Sequence, residues 1–157
     1  MMNFLNYSII SIISYSGLFL GFLLAIIAKE EIKQGERYFI LLKKTILALI
    51  FIFLLILKTK DHLTTTLILA FVILYMIKTK KEFNELPYIY IILGLVLYTS
   101  SKNLELLMIE SSLIFILGFP VGTLLTKKDK KRTLKEIIKN IGLVISAIIP
   151  FFFKTIS

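Results

Sequence analysis

The chain contains no cysteine and no tryptophan, one histidine, three prolines and only two aspartates, Asp61 and Asp129. Without cysteine there is no disulfide, no thiolate metal site and no cysteine nucleophile, and the redox compartment is left open. The lone histidine, His62, has no second imidazole and no metal-ligating cluster beside it, so a solvated residue at a helix start is its expected role. Neither H-E-x-x-H nor G-x-S-x-G is present, and no Walker loop or dinucleotide fingerprint stands anywhere in the 157 residues. Both aspartates fall in polar breaks, which excludes a catalytic pair of intramembrane aspartates. These absences argue against an enzyme and imply no cofactor and no metal. An unfamiliar intramembrane chemistry on lipid is the one catalytic alternative they leave.

Polar length is also missing. The longest strongly polar segment covers 127–135, too short to fold as a domain of its own. What fills the chain instead is a rhythm of long apolar runs and short lysine-rich breaks. Hydrophobic residues make up 57% of it, and the mean hydropathy is +0.89. A helix crossing roughly 30 Å of hydrocarbon needs about 20 apolar residues. The pattern predicts an all-α polytopic membrane helical bundle of about six transmembrane helices. Residues 1–157 then form a single transmembrane domain, with spans at about 4–28, 38–57, 62–77, 87–101, 104–126 and 136–153. The N-terminal run lacks a positive n-region and a small-x-small cleavage site, so it reads as a retained span and not as a signal peptide.

The breaks have their own chemistry. Residues 29–37 read as a tight charged turn in which Gly35 is free to take a positive φ. The second span then opens at Tyr38, with Lys43 and Lys44 reaching back toward headgroups. Asp61 is a candidate N-cap for the third span, which carries threonines at 64–66. Pro87 suits the first turn of the fourth. Pro120, between Gly118 and Gly122, marks a break or kink in the fifth, and Thr133 with Glu136 fits a capping box before the sixth. With tryptophan absent, the aromatic belt falls to tyrosines such as Tyr88, Tyr90 and Tyr98.

The net charge is +9 and the isoelectric point about 9.7. Nucleic acid is not the implied partner, because the basic residues sit at the ends of apolar runs and form no separate basic face. There they set orientation and meet anionic headgroups, making the lipid bilayer the expected partner. With six spans, the breaks after the first, third and fifth share one side of the membrane. Of the 19 lysines and arginines, only Lys58, Lys60, Lys102 and Lys154 fall on the opposite side. Loops 29–37, 78–86 and 127–135 are therefore expected to be cytoplasmic, with both termini outside a cell membrane. Lys127, Lys128, Lys130, Lys131 and Arg132 form the candidate contact for anionic lipid.

Two features inside the spans stand out. Gly17, Gly21 and Ala25 recur every four residues, and Gly118 and Gly122 repeat the spacing. Small residues so placed let helix backbones approach closely. Packing within the bundle is the expected use, with a seam between subunits of a homo-oligomer or a larger membrane complex as the alternative. Glu110, followed by Ser111 and Ser112, is the candidate polar functional site. It lies six residues into the fifth span, about 9 Å along a helix rising about 1.5 Å per residue. An ionisable group at that depth either faces a cavity or partner, as in a transport pathway, or is hydrated at the interface beside Lys102 and Glu105.

These features point to a multi-pass membrane protein with three expected classes of activity. A non-catalytic accessory or scaffold protein comes first, since polar residues inside spans are few. A small transporter or channel using Glu110 and a broken fifth helix is the alternative. An intramembrane lipid-modifying enzyme is the third.

Overall fold

The computed structural model describes residues 4–58, 86–125, 137–138 and 140–156. Within them the chain is helical, with no strand: α1 (Phe4–Ile27), α2 (Lys29–Lys58), α3 (Leu86–Ser100), α4 (Leu104–Leu125) and α5 (Gly142–Ile156). The expected span 62–77, with His62 and its threonines, lies outside the described residues. So do segment 78–85, the capping box, and Lys127, Lys128, Lys130, Lys131 and Arg132.

Residues 29–37 are not a turn. Ala28 alone separates α1 from α2, with its N–H donating to Leu24 O at 2.9 Å and its own carbonyl accepting from Ile32 N at 3.0 Å. Lysine, glutamate, glutamine and arginine are good helix formers, and Glu30 and Glu31 in the first turn favour the positive end of the helix dipole. Gly35 is helical, and no described glycine has a positive φ. Lys43 also departs from expectation. It lies on the buried face of α2 in register with Ile46, Leu47, Ile50 and Phe51, with 7% exposure, and so does not extend outward.

Helices α3 and α4 form a hairpin. Asn103 makes its corner: its side-chain oxygen accepts from Glu105 N at 3.0 Å and Leu106 N at 3.3 Å, capping α4. Helix α4 then runs through Pro120 without interruption to Leu125, so the expected break is a proline inside a continuous helix. The reverse holds at the C-terminal end. The expected span 136–153 is interrupted by a turn at Asn140 and Ile141, where Asn140 N donates to Ile137 O and Ile141 N to Ile138 O. The long helix begins again only at Gly142.

Helix α4 packs along α1 and α2 and touches α3, while α5 packs on α3 and α1. The direction of each pair follows from its contacts. Gly17 meets Phe115 and Gly118, and Gly21 meets Phe119, so α1 and α4 are parallel. Phe4 stacks edge-on against Phe152 at 5.8 Å, and the Tyr7 hydroxyl donates to Ala147 O at 3.3 Å. The Tyr15 hydroxyl donates to Ile137 O, so α5 runs antiparallel to α1. Among the described residues, α1 and α4 are the two helices long and apolar enough to cross a membrane.

Candidate functional site

The glycines on α1 and α4 lie against each other. A Cβ added to Gly118 would meet Gly17 Cα at 2.8 Å, and one added to Gly122 would meet Phe22 N at 2.8 Å and the Gly21 carbonyl carbon at 2.9 Å. One added to Gly21 would meet Gly118 O at 2.7 Å. Real Cβ atoms do not approach backbone so closely, so only glycine permits this spacing. Ala25, one turn further along α1, is also buried. A second close seam, unmarked by any four-residue repeat, joins α3 to α5. Gly94 faces the Leu143 carbonyl and Ala147 N, and the Ser146 hydroxyl crosses to Ile91 O at 2.9 Å.

Glu110 points into the bundle. It has 0% exposure, and neither side-chain oxygen has a hydrogen-bond partner among the described residues. The hydrated-interface environment is thereby excluded for it, although Glu105, five residues earlier, is exposed. Helical geometry turns successive residues by about 100°, and this separates Glu110 from the two serines after it. Ser111 and Ser112 both donate to Met108 O, at 3.0 and 2.8 Å, and Ser112 is exposed. They are not brought to the carboxyl.

Other polar groups do share the interior. Along α1, Tyr7, Ser11, Ser14 and Tyr15 form one buried stripe. Its serine hydroxyls donate back to the carbonyls four residues earlier, Ser11 to Tyr7 O at 3.0 Å and Ser14 to Ile10 O at 2.8 Å. Its tyrosines reach across to α5 and to the turn before it. Tyr90, expected in an interfacial belt, is instead a core residue with 1% exposure, and its hydroxyl has no partner among the described residues. Tyr98 is half buried. The i, i+4, i+7, i+8 spacing of the α1 polar residues was a readable signal for this stripe, since it places all four on one helix face.

Chemically, the arrangement offers one acid and several hydroxyls in a packed interior. Among the described residues, no three histidine, aspartate or glutamate side chains gather where a metal ion would need them. No family model matches the chain, and neither a curated protein nor a solved structure is similar to it.

Proposed function

We propose that this chain is a multi-pass integral membrane protein of six spans, resident in a cell membrane with both termini outside. The observation that carries the membrane part of this reading is the inverted distribution of side chains on α1. Its buried residues are Tyr7, Ser11, Ser14, Tyr15, Gly17, Leu18, Gly21 and Ala25, while Leu5, Ile9, Ile12, Ile13, Phe19, Leu20, Leu23 and Leu24 are exposed. In water such an aliphatic face is a large unfavourable patch. In lipid it costs nothing, and the polar and small residues gain by meeting inside. The parallel packing of α1 and α4 adds support. Two parallel spans require an odd number of crossings between them, and the six-span arrangement has three.

The role that fits this bundle best is non-catalytic, as an accessory or scaffold protein. Backbone contact along the α1–α4 seam makes a rigid pair, and nothing in the described interior resembles a catalytic constellation. The bilayer and its anionic headgroups are its immediate partners, and a larger membrane complex or homo-oligomer would use the lipid-facing surfaces. A second reading, a small transporter, is favoured by Glu110 alone, because a buried carboxyl without a partner is costly to keep inside a span.

Single cysteines at positions 3 and 129, probed on intact cells with an impermeant thiol reagent, test the topology. Labelling at 3 and not at 129 is expected, and the reverse overturns the orientation. Release of the protein from membranes by alkaline carbonate overturns the membrane reading itself.

A further inference from the structure

Glu110 combines full burial with two side-chain oxygens that meet no hydrogen-bonding partner among the described residues. The hydroxyls next to it in sequence are engaged with the Met108 carbonyl. The register of α1 against α4 supplies another. Gly17 lies beside Phe115 and Gly118, and following that parallel alignment about two turns toward both N-termini sets Glu110 level with Ile10 and Ser11. Ser11 is itself fully buried, and a hydroxyl oxygen carries acceptor lone pairs as well as its proton.

The buried faces packed against α4 contribute few titratable groups among the described residues. Tyr7 and Tyr15 on α1 donate to the carbonyls of Ala147 and Ile137, and Tyr90 and Tyr98 stand on α3. Among the described side chains of α2, Lys43 is the buried cation, with half-buried Lys44 beside it. None of them bonds to Glu110.

The chemistry of the occupant follows from what each candidate would need. A hard metal cation takes about six oxygen donors, and one carboxyl with one hydroxyl at its level falls far short of that. An organic cation needs a cavity next to the acid, but the acid is enclosed by packed side chains. A proton needs neither donors nor volume. An ionised, unpaired carboxylate in such surroundings is strongly disfavoured, whereas the neutral acid can donate its proton to a neighbouring oxygen.

We infer that Glu110 is a proton-binding site in the interior of the bundle. Its carboxyl holds a proton while the core is closed and exchanges it with solvent when a transient opening of the bundle admits water. The inference rests on the membrane reading above and deepens the transport reading, although binding alone does not require transport.

The test is infrared difference spectroscopy on the full chain in phosphatidylcholine–phosphatidylglycerol vesicles, comparing wild type with Glu110→Gln. The wild type should show a protonated-carboxyl C=O band at neutral pH that shifts in heavy water, and the variant should lose that band entirely. If Glu110→Gln does not fold, heavy-carbon labelling of glutamate in the wild type makes the same assignment, because Glu105 is exposed and the remaining glutamates lie in charged segments. A spectrum without the band overturns the site. So does a band that heavy water never shifts, since that proton is locked in and not bound reversibly. Carbonate extraction of the same vesicles separates these outcomes from failure of the membrane reading. Proton flux no faster than in empty vesicles, with the exchangeable band present, would leave the site standing and remove transport.

Discussion

Gly17 and Gly118 meet backbone to backbone, so that a Cβ built on Gly118 falls 2.8 Å from Gly17 Cα. Neither residue is near the other in sequence, and neither has a side chain to hold the contact. What holds it is dispersion between two helices brought closer than any larger residue allows, with interior packing as dense as that of an organic crystal.

Gly21→Leu should therefore destabilise the bundle by about 1–3 kcal/mol or more, the range for overpacking a tight interface. Gly35→Ala is the matched control. Its added Cβ would lie 3.6 Å from the Phe39 ring, an ordinary contact, and its backbone is helical. That change should stabilise by about 0.5–1 kcal/mol through the lower entropy of the unfolded chain. Thermal unfolding in detergent checks both, and equal effects would mean the α1–α4 seam carries no special strain.

Tyr15 and Tyr90 are both buried yet should respond oppositely to loss of their hydroxyls. Tyr15 donates across to Ile137 O, so Tyr15→Phe should cost about 0.6–1 kcal/mol, typical of an interhelical bond in a membrane bundle. The Tyr90 hydroxyl has no partner among the described residues. Tyr90→Phe should accordingly be neutral or mildly stabilising, because a buried polar group is removed without breaking a bond. Detergent melting of the two variants and of the double variant measures the difference.

Asn103→Ala should lower stability by about 1 kcal/mol, since it leaves the first N–H groups of α4 without their cap. Amide hydrogen exchange at Glu105 and Leu106 should rise selectively. Unchanged exchange there would show that solvent satisfies those groups equally well.

Glu110→Met should raise thermal stability by about 1–3 kcal/mol. Replacing an unsatisfied buried polar group by an apolar one of similar volume is often stabilising. A gain would mark Glu110 as a residue retained at a cost to the fold, as functional residues commonly are. A loss would mean that the carboxyl contributes to packing or bonding that holds the bundle together.

The apolar runs dictated where helices form. The run at 4–28 is helical over Phe4–Ile27, that at 87–101 over Leu86–Ser100, and that at 104–126 over Leu104–Leu125. Run length, terminating polar residues and a proline near a helix start are local, one-dimensional properties, and local physics reads them directly. Where the local signal is ambiguous, helix continuity is not legible in either direction. Charge in 29–37 resembled a turn although its residues favour helix, and the apolar run around Asn140 resembled one helix although the chain turns there.

Which way each helix faces was decided only by tertiary packing. A stripe of glycines is legible in the chain, but its partner on α4 lies about a hundred residues away. Glu110 and Glu105 are both glutamates near the start of the same helix, and one is fully buried while the other is exposed. Their different rotations about the helix axis, against neighbours recruited from α1 and α2, separate them. The same rotation removed Ser111 and Ser112 from the carboxyl and put Tyr90 in the core. Residue type sets what burial costs, but only the assembled neighbours determine which residues are buried.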